Sequence, residues 1–226
     1  MSDDKLRAAG AAALAKAVQL YQSDIWDPPA RDHRPVADRW RDAITEMIGG
    51  DGRGHGLGWG WERRYLGDGD FEWCGAFAAR CWEDGGLLRQ ARLESWASCY
   101  RLQRWATGRP TSTSPAAPGA ACMRLCVPFN EHSTALPIGL EVRPGDVLIV
   151  GGAGTGPGKH ITLVERFDEH AQAFHTYEGN AGGIGPDGKS RQGVVRTVRR
   201  IGLPRGRPRS AYHARWLIRP ALTDLA

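Results

Sequence analysis

The 226-residue sequence has no long hydrophobic run. No segment approaches the roughly 18 consecutive apolar residues that a membrane-spanning helix requires, so we expect no insertion into a membrane. The first residues are also not typical of a signal peptide, because acidic residues stand near the start and Lys16 interrupts the apolar stretch. The sequence therefore predicts a protein that is made in the cytoplasm and is not exported by a leader of its own.

The sequence contains few cysteines, and their number, 5, is odd. No pairing scheme uses all of them, so at least one thiol is free unless two chains are cross-linked. A reducing compartment argues further against a disulfide scaffold. The nearest approach to a zinc pattern is Cys122 and Cys126 with His132, and no fourth ligand accompanies them. We therefore expect no metal and no cofactor.

Acidic residues are absent between Lys189 and Arg219, a stretch that contains ten basic residues. Such a stretch can bind a polyanion, or it can form a solvated edge that pairs with acidic residues elsewhere in the chain. No nucleic-acid-binding motif accompanies this charge, so we expect no nucleic-acid partner.

Helical periodicity dominates the first half of the chain. Apolar residues recur at helical spacing in four stretches, which predicts helices over residues 4–22, 36–50, 73–84 and 91–107. A glycine-rich loop separates the second from the third. It lacks the Lys-Ser/Thr ending of a phosphate-binding loop, and no strand precedes it.

Short segments rich in β-branched residues follow in the second half, at 145–150, 160–167, 173–179, 193–198 and 214–220. Turn residues separate them, which predicts an antiparallel meander. Helices that precede a sheet indicate an α+β fold. We expect an N-terminal helical extension over residues 1–50 that packs on a core domain over 51–226, with an insert at 87–142.

Cys74 is the residue whose chemistry the sequence leaves most open. It lies on the apolar face of the third predicted helix, where a buried and inert thiol is the ordinary interpretation. It also lies in the first helical turn, where unpaired N–H groups and the helix dipole favour thiolate. Those N–H groups could also stabilise an oxyanion. A nucleophilic Cys74 would need a base and a group to orient that base.

Two consecutive predicted strands supply candidates for both partners. His160 begins one strand after a glycine-rich turn, and the next strand ends in Glu178 and Asn180. Adjacent antiparallel strands bring such residues together. Glu178 and Asn180 are two positions apart, so an extended chain would place both on one side, where either could accept the imidazole N–H.

Four stretches in this order, FEWCGAFAARCWEDGGL, RPGDVLIV, GKHITLVERF and YEGNAGG, resemble the CHAP (cysteine, histidine-dependent amidohydrolase/peptidase) and NlpC-type cell-wall hydrolases. The resemblance covers residues 71–86 and 143–183. It implies a papain-like fold, with Cys74 as nucleophile, His160 as general base and acid, and Glu178 or Asn180 as the orienting residue. Trp73 would contribute to the substrate groove.

The resemblance further implies a hydrolase that cleaves an amide bond in bacterial peptidoglycan, as an endopeptidase or an N-acetylmuramoyl-L-alanine amidase. Without a leader, such an enzyme would reach the cell wall through a phage lysis system or as a secreted antibacterial effector, which would need an immunity protein as partner. Two alternatives stay open. One is a cytosolic papain-like cysteine protease or acyltransferase that acts on a protein, and the other is a non-catalytic module that binds a polyanion.

Overall fold

A computed structural model describes most of the chain. The described residues are 2–24, 74–87, 96, 99–107, 125–152, 158–185, 188–203 and 211–225. The predicted helix at 36–50, the glycine-rich loop and much of the predicted insert lie outside these ranges, as does the domain boundary at residue 50. That boundary stays a prediction.

Three α-helices are present among the described residues: α1 (Ser2–Gln22), α2 (Cys74–Asp84) and α3 (Cys99–Ala106). A short 3-10 turn follows at Leu222–Asp224. Along α1, the buried residues Ala9, Ala13 and Ala17 repeat every four positions, so one narrow stripe of small side chains faces the protein. None of the described helices combines the length and apolar character that crossing a membrane requires.

Six strands form one antiparallel sheet: β1 (Leu125–Pro128), β2 (Val147–Gly151), β3 (His160–Asp168), β4 (Ala173–Ile184), β5 (Ser190–Arg200) and β6 (His213–Arg219). Their spatial order is β1-β6-β2-β3-β4-β5. Helices that precede an antiparallel sheet make the fold α+β, which confirms the predicted class.

The sheet differs from the predicted meander at one edge. Strands β2 to β5 pair in sequence order, but β6 returns to pair with β2, and β1 pairs with β6. Strand β1 was not predicted, since its four residues, LCVP, are too few to show alternation. It lies within the region that the sequence predicts as an insert.

Two apolar clusters surround the central strand β2. Val147 and Ile149 belong to a cluster that includes residues of all three helices, whereas Leu148 and Val150 belong to a second cluster. Successive side chains of a strand point to opposite faces, so a strand covered on both faces must be apolar throughout. This explains why the segment VLIVG is buried at every position.

Polar contacts surround the start of β2 and join it to α2 and to β6. The indole Nε1 of Trp82 donates a hydrogen bond of 2.8 Å to the carbonyl oxygen of Gly145. Beside it, the buried carboxylate of Asp146 accepts two hydrogen bonds from the Arg219 guanidinium, at 2.6 and 2.7 Å. These contacts satisfy polar groups that would be costly to bury alone, and the Trp82 bond joins the helix that carries Cys74 to the start of β2.

Candidate functional site

Cys74 is the first residue of α2, and its neighbours pack closely. Only 7% of its surface is exposed. A Cβ atom placed on Gly75 would lie 1.9 Å from the carbonyl oxygen of Trp96 and 3.1 Å from Cδ1 of Ile161. Glycine is therefore required at position 75, because only a hydrogen atom lets the backbone at Trp96 approach the first turn of the helix.

His160 begins β3 and is buried against two partners. Its Nε2 lies 3.1 Å from Oε2 of Glu178. The Nε2–H bond is not aligned with any acceptor among the described residues, so this contact is a charge pair rather than a hydrogen bond of good geometry. The thiol of Cys74 also interacts with the imidazole. Since Nε2 adjoins Glu178, Nδ1 is the ring nitrogen left for the thiol.

The carboxylate of Glu178 is fully buried and accepts several hydrogen bonds. Its Oε1 accepts from Thr176 Oγ1 at 2.8 Å and from Arg199 Nε at 2.7 Å. Its Oε2 accepts from Arg199 Nη2 and adjoins His160. A buried carboxylate is stable only when it is paired in this way.

Burial and these contacts together determine the pKa values of His160 and Glu178. Burial alone would lower the pKa of His160, but its interactions with Cys74 and then Glu178 outweigh burial and raise that pKa to about 9. Burial alone would raise the pKa of Glu178, but its bonds with Arg199 and then His160 lower that pKa to about 2. At neutral pH, the pair is therefore an imidazolium beside a carboxylate.

Asn180 does not share the position of Glu178. The register of β4 against β5 shifts between Glu178 and Ala181, and Asn180 has a φ of 57°. One extra residue in β4 at this point is a β-bulge, which breaks the two-residue alternation that would have placed both side chains together. Among the described residues, Glu178 is the orienting candidate that adjoins His160.

The sequence also leads us to expect that Trp73 contributes to a substrate groove and that no metal is bound. Trp73 lies outside the described residues, and its role in a substrate groove stays a prediction. Within the described part of the chain, no group of three or more His, Cys, Asp or Glu residues could hold a metal ion.

The basic stretch is partly neutralised within the sheet. Arg196 pairs with Glu165, Arg199 with Glu178, and Arg219 with Asp146. The acidic partners lie on β3, on β4 and directly before β2. At least these three arginines therefore have a structural role. Residues 204–210, which include three further arginines, lie outside the described part.

Sequence reasoning missed two residues that contact Glu178. Thr176 stands two positions before Glu178 on the same strand, and alternation alone could have indicated a shared face. Arg199 was counted only as one member of the basic stretch. Its contact depends on the pairing of β5 with β4, in which Arg199 lies opposite Phe174, and no local pattern reveals that register.

A comparison of the chain with protein-family models found no match, and comparisons with curated proteins and with solved structures found none either.

Proposed function

We propose that the protein is a papain-like cysteine hydrolase that cleaves an amide bond in bacterial peptidoglycan. The observation that supports this proposal is the contact of Cys74, His160 and Glu178, three residues from separate parts of the chain. A thiol beside an imidazole whose far side adjoins a buried carboxylate is the arrangement that thiol nucleophiles require.

The acylation step uses the two partners of His160. In the reactive state His160 already holds the proton of Cys74, which gives a thiolate beside an imidazolium that the adjacent carboxylate of Glu178 stabilises. The thiolate sulfur then attacks the carbonyl carbon of the substrate amide. Backbone N–H groups in the first turn of α2 lie at the positive end of the helix dipole and would stabilise the oxyanion. The tetrahedral intermediate collapses as the C–N bond breaks, and His160 gives its proton to the leaving amine.

In the deacylation step, His160 acts as a base toward water. Neutral His160 takes a proton from a water molecule, whose oxygen attacks the thioester carbon. The C–S bond breaks, the product acid leaves, and the thiolate of Cys74 again stands beside protonated His160. The cycle needs no oxidant, reductant or cofactor.

The choice of substrate comes from the motifs rather than from the triad. The order of the Cys74, Gly145-Asp146, His160 and Glu178-Gly179-Asn180 segments resembles the cell-wall hydrolases named above. An enzyme of this kind would act after phage lysis or after delivery between bacteria, and in the latter case its producer would hold an immunity protein.

Digestion of purified peptidoglycan sacculi tests the proposal. We expect the wild-type protein to release muropeptides whose masses identify one cleaved amide bond. Cys74→Ala should lower the rate by about a thousandfold or more, because the nucleophile is removed. Cys126→Ala is the matched control, since burial raises the pKa of the Cys126 thiol to about 11 and leaves it unreactive. Its rate should equal that of the wild type.

Three outcomes would contradict the proposal in different ways. Digestion by Cys74→Ala at the wild-type rate would remove Cys74 from the mechanism. Cleavage of casein or a peptide library but not of sacculi would indicate a protease that acts on proteins. Salt-sensitive binding to a polyanion that survives loss of Cys74, without turnover of any amide, would indicate a binding module.

A further inference from the structure

A second charged residue stands behind the Glu178 carboxylate. Arg199 lies on β5 and presents Nε and Nη2 to the two carboxylate oxygens, which is the two-point geometry in which a guanidinium binds a carboxylate most firmly. The Tyr212 ring covers the guanidinium, with its centroid 5.9 Å from Cζ. Arg199 is therefore held in place by β4 on one side and by an aromatic ring on the other.

Within the ranges that the structure describes, the groups that contact Glu178 come from three strands. They are Thr176 on β4, Arg199 on β5 and His160 on β3, and Cys74 on α2 enters the set through His160. Each carboxylate oxygen has two neighbours, so its acceptor positions are filled. Of these groups in the described part of the chain, only Arg199 brings a permanent positive charge, because a guanidinium does not lose its proton in proteins.

We propose that Arg199 is a positioning residue, which keeps the Glu178 carboxylate ionised and turned toward His160. This inference rests on the proposed function, since it concerns how the same site keeps its imidazolium. Without the guanidinium, burial favours the neutral acid, and a neutral acid gives the imidazolium no charge stabilisation. The imidazolium in turn stabilises the thiolate of Cys74. Arg199 therefore acts on the nucleophile indirectly, through Glu178 and His160.

An alternative role for Arg199 is purely structural, as a buried ion pair that connects β4 and β5. Such a role would change the stability of the protein without changing the pH at which Cys74 becomes reactive. The two roles can be separated by the rate of alkylation of Cys74 by iodoacetamide, measured against pH. This readout needs no substrate, so it can succeed or fail independently of the digestion of sacculi.

The main variant is Arg199→Met, and Arg196→Met is its matched control. Arg196 lies on the same strand and makes the same two-point contact, with Glu165, at 2.8 and 3.0 Å on the surface. In Arg199→Met we expect the inflection of the alkylation profile to move to higher pH by about one unit, which slows the reaction about tenfold at a pH well below both inflections. In Arg196→Met the profile should coincide with that of the wild type.

A double variant shows whether Arg199 acts through Glu178, and it also serves where Arg199→Met alone does not fold. Removing both members of a buried ion pair is less destabilising than removing one. The alkylation profile of Glu178→Gln/Arg199→Met should equal that of Glu178→Gln, because no carboxylate remains to be held. A further shift in the double variant would overturn the proposal, as would an Arg199→Met profile that coincides with the wild type.

Discussion

At the scale of single residues, the site depends on a proton that His160 holds more tightly in the folded protein than in the unfolded chain. Its pKa is about 9 against an ordinary 6.5. Because the folded state binds this proton more tightly, His160 adds to the free energy of unfolding. This addition is complete below pH 6.5 and is lost as the pH rises toward 9. Glu178 has a pKa of about 2 against an ordinary 4.5, so its contribution is complete above pH 4.5 and is lost toward pH 2.

These opposite signs predict the pH dependence of stability. As far as the pair determines it, the free energy of unfolding should be greatest between pH 4.5 and 6.5, and it should decline as the pH rises to 9. Urea unfolding at a series of pH values would measure this. Glu178→Gln removes one partner of His160 and should flatten the alkaline decline. An unchanged or steeper decline in that variant would contradict the role of Glu178 in the pair.

Gly75 offers a second test at this scale. Gly75→Ala would place a methyl group 1.9 Å from the Trp96 carbonyl oxygen, so the first turn of α2 must move. We expect a loss of about 1–3 kcal/mol in the free energy of unfolding, as for other overpacked sites, and slower alkylation of Cys74. Gly182→Ala is the control, because nothing lies within 4 Å of the added atom. If the two variants had the same free energy of unfolding and the same alkylation rate, the backbone at residue 96 would be able to shift at little cost.

At the scale of elements, α1 is part of the core. Ala9, Ala13, Ala17 and Leu20 are buried, and Gly85 at the end of α2 lies so close to α1 that an added Cβ would stand 2.5 Å from the Ala9 carbonyl oxygen. The small side chains allow the two helices to approach closely. Burial of this stripe stabilises both helices together.

Deletion of residues 1–24 tests this role of α1. We expect the shortened protein to lose cooperative thermal unfolding, because the facing side chains of α2 would be exposed to water. Arg7→Ala is the contrasting change. It removes the ion pairs with Glu141 and Asp3, whose side chains are about half exposed, and such surface pairs contribute little to stability. A shortened protein that unfolds at the wild-type temperature would show that α1 is dispensable.

The elements also show what the sequence can reveal. Helical periodicity predicted α1 to within two residues, and β-branched runs predicted β2 to β6 to within a few residues, except that β4 extends to Ile184. The sequence also predicted that His160 and Glu178, on adjacent strands, would lie together, and their side chains are in contact. The bulge at Asn180 and the contact of Arg199 were not predicted, because both depend on the register between β4 and β5. Register arises from tertiary pairing, and a local pattern does not contain it.

At the scale of the whole molecule, the two apolar clusters share the strands of one sheet. Phe77 belongs to the cluster that includes the helices, Phe174 belongs to the other, and both are fully buried. Since β2 contributes side chains to both clusters, neither should unfold while the other stays intact.

Calorimetry of two variants tests this coupling. Phe77→Ala and Phe174→Ala should each lower the free energy of unfolding by about 3–5 kcal/mol, and each should keep a single transition whose calorimetric and van't Hoff enthalpies agree. Two separate transitions in either variant would show that the clusters are independent units.

The two partners of His160 differ in one further respect. In the proposed cycle, Glu178 would stay in contact with His160 throughout, whereas the thiol of Cys74 would cease to exist once the sulfur carried an acyl group. Part of what raises the pKa of His160 would then disappear, and burial would lower that pKa. Acylation would thus convert a strongly protonated imidazolium into a neutral imidazole at the moment when the reaction needs a base for water. The order of the two half-reactions would follow from this loss, with no movement of the backbone.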